Sequence, residues 1–222
     1  MIYDIAILIN LNRREDRKNW ILDHFQKRGI ENVFVYPAFD GKEITHMTVN
    51  PPRRNYFSWT TMNKNVIACA LSHIGALKMA QALGHKRVLM LEDDAVLSSD
   101  IVSRLEMIEK ESKSLDWEHI FVGGAVRKRN ELVQKTNHLW TSSFTDGAHA
   151  YLVQNKGINK LCDEMLHFNT TVDDAVNDLI LSNRLKSYTM IPLASFQKAD
   201  VSDIDNKFIV RDDTMTFFKN RL

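Results

Sequence analysis

The chain has 222 residues, 44% of them hydrophobic and 26% charged, with a net charge of +1 and two cysteines. That is ordinary globular composition, long enough to bury a sizeable core in one domain. Nothing global advertises a polyanionic partner: the basic runs "PPRRNY" and "VRKRN" are only local patches, and two thiols without metal spacing read as reduced and buried.

"IYDIAILINL" (2–11) reads as a buried strand, and "RREDRKNWILDHFQKRG" (13–29) as a helix with Trp20, Ile21, His24 and Phe25 on one stripe, stopped by Gly29. "NVFVYPAF" (32–39) is a second strand broken by Pro37, and residues 40–64 lack a clear period and read as a long functional loop. "NVIACALSHIGALKMAQALGH" (65–85) is a helix apolar nearly all round, hence buried against a sheet. "RVLMLEDDAVL" is the next strand, and residues 98–115 form an amphipathic helix capped by Ser or Asp. "WEHIFVGG" (117–124) is a strand ending in glycines, where a ligand or backbone can come close. An irregular or hairpin-like stretch follows, then a strand "AHAYLVQ" (148–154), a helix "NKGINKLCDEMLHF", and a helix at 170–183 with acids in its first turn, where the dipole favours them. "SYTMIPLASFQ" reads as the last strand. This alternation predicts an α/β fold with a mixed, mainly parallel sheet flanked by helices, and such sheets bind ligands beyond the carboxyl ends of their strands. The opening "MIYDIAILINLNRRED" has no basic n-region and only a short apolar run, which predicts neither a signal peptide nor a transmembrane span.

The stretch "VLMLEDDAVL" (88–97) places Glu92, Asp93 and Asp94 at that carboxyl edge with no basic residue among them. Alternation along a strand sends Glu92 and Asp94 to one side, while Asp93 points the other way or follows the turn. Two same-facing carboxylates make a hard-oxygen site for Mg²⁺ or Mn²⁺, completed by a substrate's phosphate oxygens. The competing explanation is a polar turn with solvated acids. A phosphatase-type acid pair on the first strand is missing from "ILINLNRRED", and so is an earlier strand glutamate of a nuclease-like cluster.

"INLNRREDR", "AFDGKEI", "ACALSHIGALKMA", "VLMLEDDAVL", "GAHAYLVQNKGINKL", "TTVDDAV" and "PLASFQKADVSDI", in that order, resemble glycosyltransferase family 25, which holds lipooligosaccharide and collagen galactosyltransferases. The resemblance implies a GT-A-like fold in one domain over 1–222, with a Rossmann-type nucleotide-sugar half over about 1–124 and an acceptor half over 125–222. It also implies an inverting, Mn²⁺- or Mg²⁺-dependent transfer of galactose or glucose from a UDP-sugar. In that frame Glu92 and Asp94 are metal ligands and Asp93 a further donor-site candidate. Asn10 and Leu11 meet base or ribose, Arg13 or Arg17 the phosphates, and Asp40 ribose or base; for Arg14 an exposed helix start is the simpler reading. Ser72 and His73 position the donor, although a lone histidine in such a helix is commonly a satisfied core residue. Asp173 or Asp174 is the general base an inverting displacement needs, against a plain helix-dipole role. Gln197 remains where relatives tend to carry a double glutamine, with Phe196 in the other place. No histidine follows His167 to serve as a third metal ligand, which leaves Gln197, Asp200 or water. "DGAHAYLV", with Asp146, Gly147 and His149, suits a backbone passing close to the sugar or a turn entering a strand.

The expected acceptor is a lipooligosaccharide or polysaccharide sugar. Alternatives are a modified DNA base, for which "PPRRNYFSW" would supply arginines and stacking aromatics, or a non-catalytic sugar-nucleotide-binding relative. The expected location is cytoplasmic, with at most peripheral membrane contact through "FFKNRL".

Overall fold

The computed structural model describes residues 1–45, 64–204 and 208–209. Most of the long loop, including "PPRRNYFSW", and the terminal "FFKNRL" lie outside the described residues. In chain order the elements are β1 (Ile5–Asn10), α1 (Glu15–Lys27), β2 (Val33–Pro37), a 3-10 turn (Gly41–Glu43), α2 (Lys64–Ala82), β3 (Arg87–Glu92), β4 (Ala95–Leu97), α3 (Ile101–Glu111), β5 (His119–Phe121), β6 (Ala125–Val126), β7 (Leu139–Thr141), β8 (Thr145–Asp146), β9 (Ala150–Gln154), α4 (Asn155–Met165), α5 (Val172–Leu181), β10 (Ser187–Met190), β11 (Ser195–Gln197), β12 (Asp200–Val201) and β13 (Phe208–Ile209).

Seven strands form one mixed sheet in the order β2-β1-β3-β9-β5-β10-β7. β1, β2, β3, β5 and β10 run one way, while β9 and β7 oppose their neighbours, so the sheet is mainly parallel. Strands from before and after residue 124 therefore share one sheet.

Side-chain alternation builds a core on each face. Leu89 and Leu91 of β3 and Ala6 and Leu8 of β1 pack with Ile21 and Phe25 of α1 and with Ile101, Leu105 and Ile108 of α3. Val88 and Met90 face the other way, onto Leu77 of α2, Ile158 and Leu161 of α4, and Val176 and Leu179 of α5. α2 is apolar nearly all round because it is packed between the sheet and α4, with Val66, Ala70, Ala76, Leu77 and Ala80 buried. β1 and the centre of β3 are buried on both faces, as unbroken apolar strands must be.

Two expectations are refined. "SYTMIPLASFQ" is not one strand: β10 ends before Pro192, which has no N–H for a ladder, and β11 leaves the main sheet to pair antiparallel with β4. The strand "AHAYLVQ" is present as β9, inserted antiparallel between β3 and β5. Its beginning therefore lies beside the end of β3, with Leu91 opposite Ala150.

α4 is held close to β5 by Gly157: a Cβ there would lie 2.4 Å from the Glu118 carbonyl oxygen. The Glu118 carboxylate in turn binds Lys160 Nζ at 2.7 Å and the Lys186 N–H at 3.0 Å. Gly157→Ala should lower stability by about 1–3 kcal/mol through overpacking against an unyielding backbone oxygen, despite alanine's better helix propensity. A urea unfolding midpoint that falls with unchanged slope is the check.

Candidate active site

The end of β3 divides its three acids. Glu92 continues the Val88 and Met90 side and meets α2, its Oε1 lying 3.2 Å from His73 Nε2. Asp93 turns to the α1 side, where Arg17 Nη1 donates to it at 2.8 Å and Asn10 Nδ2 at 2.8 Å. Arg17 is 9% exposed and Asn10 2%. Burial raises the pKa of Asp93 and the Arg17 charge pulls it back. Asp94 sits in the tight turn between β3 and β4, its Oδ2 accepting from Gln197 Nε2 at 3.3 Å and its carbonyl from Lys198 N at 2.8 Å.

On α2, Ser72 donates to the Ala68 carbonyl at 2.6 Å and accepts the Phe39 N–H at 2.9 Å, tying the helix to the chain leaving β2. His73 is buried, with Nδ1 2.9 Å from Tyr151 Oη and its ring stacked on that of Tyr151. One turn earlier, the Cys69 thiol pKa is pushed well up by burial and by the charges of Glu92, Asp173 and Asp94.

At the start of α5, Thr171 caps the helix, accepting from the Asp174 N–H at 3.3 Å. Asp173 accepts from Thr171 Oγ1 at 2.5 Å and from the Gly147 N–H at 2.9 Å, which fixes the entrance to β9. Asp174 has its pKa raised to about 6, by burial first and then by the charge of Asp173. Asp146 is paired with Arg127 at 2.5 Å. The His149 carbonyl accepts the Glu92 N–H at 2.9 Å, and the His149 side chain is accommodated by Gly123, where a Cβ would come within 2.3 Å of Nε2. The glycine at the end of β5 makes room for a neighbouring side chain.

Arg13 Nε binds Asp40 at 2.6 Å and its Nη1 binds Asp203 at 2.7 Å, while Arg14 Nη1 reaches the other Asp203 oxygen at 2.5 Å. Asp40 also caps the 3-10 turn through the Lys42 N–H. Asn65 donates to the Asp203 and Ile204 carbonyls at 3.0 and 3.2 Å, so the segment after β12 is strapped across the starts of α1 and α2. The Leu11 carbonyl accepts the Arg14 N–H at 2.8 Å.

The structure therefore gathers Glu92, Asp94, His73 and Gln197 around the tip of β3, with Asp173 bonded to Gly147 at the entrance to the neighbouring β9. Asn10, Arg17 and Asp93 form a separate bonded group on the α1 side, Arg13 and Asp40 share Asp203, and Ser72 is satisfied by backbone. Three participants were absent from the sequence candidates: Cys69, Tyr151 and Asp203. The four-residue spacing of "CALSH" signals that Cys69 and His73 share a helix face; the contacts of Tyr151 and Asp203 cross 78 and 190 residues and leave no local trace.

A family model described as glycosyltransferase family 25 (LPS biosynthesis protein) matches residues 4–176. The chain is 30% identical over 170 residues to human "inactive glycosyltransferase 25 family member 3", covering 72% of this chain and 28% of that protein. It is 26% identical over 173 residues to human "procollagen galactosyltransferase 2", covering 72% of this chain and 28% of that protein. The match thus spans under a third of these relatives' length. Among solved structures, A197 from STIV aligns at a TM-score of 0.46 and 14% identity, covering 94% of each chain.

Arg17→Met should lower stability by about 3–5 kcal/mol, because it strands the buried Asp93 carboxylate. Arg13→Met, whose side chain is 35% exposed, should cost no more than about 1 kcal/mol. Paired denaturant titrations read the contrast.

Proposed function

The chain belongs to glycosyltransferase family 25, and from that premise we propose that it moves galactose or glucose from a UDP-sugar to a hydroxyl acceptor, with inversion at the anomeric carbon. The observation that carries this reading is Asp174, a carboxylate raised to about 6. It stands next to Asp173, which accepts the Gly147 N–H at the entrance to β9, the strand that begins beside the end of β3. A base with a pKa near 6 is ionised at neutral pH yet basic enough to accept a proton from a hydroxyl as it attacks. In this reading Asp174 takes that proton. Asp173, fixed by Gly147 and Thr171, positions the turn and raises its neighbour.

Glu92 and Asp94 offer the carboxylate oxygens that Mn²⁺ or Mg²⁺ prefers, Glu92 beside His73 of α2 and Asp94 beside Gln197 of β11. An ion held there would neutralise charge on the leaving diphosphate. Gln197 holds the Asp94 carboxylate in place, and His73 does the same for Glu92. Arg13 and Arg14 meet donor phosphates by exchanging the Asp203 carboxylate for a phosphate oxygen, whereas Arg17 stays with Asp93. Asn10, committed to Asp93 and to the Arg14 carbonyl, shapes the nucleotide pocket indirectly; Leu11 and Asp40 lie along the same edge.

The acceptor proposed is a glycan hydroxyl, in keeping with the family description. No helix among the described residues is long and apolar enough to cross a membrane. A second reading, donor binding without transfer, is favoured by the relative named inactive at 30% identity. UDP-sugar hydrolysis without acceptor separates the two, since a pure binder gives none.

Asp174→Asn should lower kcat by about 10²–10⁴-fold while the fold persists. The wild-type kcat/KM should rise with pH through an ionisation near 6 and level off above it. Stability moves oppositely: with a folded pKa above the ordinary carboxylate value of 3.8, the native state holds the proton more tightly, so this group's contribution declines as pH climbs from about 4 to 6. Asparagine removes that penalty at pH 7, on the order of 1 kcal/mol after allowing for solvent screening, or about 2–4 °C in Tm. Separately, a chelator and Asp94→Ala should each abolish transfer; turnover that survives both rules out the metal-assisted mechanism.

A further inference from the structure

Cys69 and His73 are four residues apart on α2, so the helix stacks them on one face. Glu92 arrives at that face from the end of β3. Among the described residues, these three offer a sulfur, an imidazole nitrogen and a carboxylate oxygen that all lie within 4.8 Å of one another. Ligands at about 2.0–2.3 Å from a tetrahedral ion sit closer together than that, so small side-chain rotations would close the set.

We propose that Cys69, His73 and Glu92 form a binding site for a borderline-soft divalent cation of the zinc class, distinct in chemistry from the all-oxygen ion site of the transferase reading and sharing only Glu92 with it. Thiolate and imidazole select such ions over Mg²⁺ and Mn²⁺. The second support is Tyr151, whose hydroxyl lies 2.9 Å from His73 Nδ1. A phenol both donates and accepts, so it can take the Nδ1–H and leave the Nε2 lone pair facing Glu92 and Cys69, the orientation an outer partner gives a metal-bound imidazole. Charge also balances. A thiolate, a carboxylate and a neutral imidazole sum to −2, which one divalent ion cancels in a site that penalises uncompensated charge. Binding converts Cys–SH into a metal–sulfur bond and releases one proton per ion.

Cobalt(II) is the probe, titrated into the reduced, metal-free full chain. The expected result is a thiolate-to-cobalt charge-transfer band that saturates at one equivalent and is bleached by added Zn²⁺. Cys69→Ser should lose the band and Cys162→Ser should keep it, with circular dichroism confirming that both are folded. Tyr151→Phe should weaken binding by about 10–100-fold. Should Cys69→Ser fail to fold, His73→Gln provides the alternative arm, with affinity reduced at least tenfold. An absent band, a band retained without Cys69, or one lost without Cys162 overturns the proposal. The readout needs no sugar donor, so its failure leaves the transferase reading standing, and failure of transfer leaves the metal site standing.

Discussion

The ion pair between Arg17 and Asp93 joins α1 to the tip of β3, and the arrangement of the acids follows from it. A guanidinium 9% exposed keeps its charge and is costly to bury without a carboxylate, and Asp93 is the one that alternation delivers to its side of the sheet. With Asp93 turned toward α1 and bonded by Asn10 as well, Glu92 is left facing α2 and Asp94 the turn into β4. Three adjacent negative charges are tolerable because each has a different neighbourhood: a guanidinium and an amide, an imidazole, and a glutamine amide. Without the first pairing, nothing but the Asn10 amide would offset the burial and the Glu92 charge that raise the pKa of Asp93.

A second constraint comes from α2, which is apolar nearly all round yet carries a serine and a histidine at its centre. Both are satisfied in ways that connect elements. Ser72 anchors the exit of β2, and His73 bridges Tyr151 of β9 to Glu92 of β3. The polar pair thus sets the spacing between helix, central strands and acid tip, a role that aliphatic side chains would fill without directional preference.

Much of this was legible from residue order. The buried strands and the amphipathic or wholly apolar helices follow from periodicity, and the carboxylate cluster announces itself because a buried strand rarely ends in three acids. What escaped has physical reasons. Alternation encodes which face a side chain takes but not strand direction, so the antiparallel insertion of β9 was unreadable. The run "SYTMIPLASFQ" has strand composition throughout, and only pairing with β4 shows that its second half serves another sheet. In sequence Arg13 reads as a phosphate-binding cation and Arg14 as an exposed helix start; their engagement by Asp203 depends on a contact spanning nearly the whole chain. Asp173 and Asp174 are alike in sequence, and only the donors on Asp173 and the burial of Asp174 tell them apart.

Because β9 runs against β3, the segment entering it and the turn leaving β3 sit side by side while belonging to distant stretches of sequence. The first, around Asp146 to His149, is anchored to α5 through Gly147 and Asp173; the second is anchored to α1 and β11. Each side of the β3 tip therefore has its own scaffold. Insertions or exchanges in one connection can reshape that side while the opposite one keeps its shape, so the two can change independently.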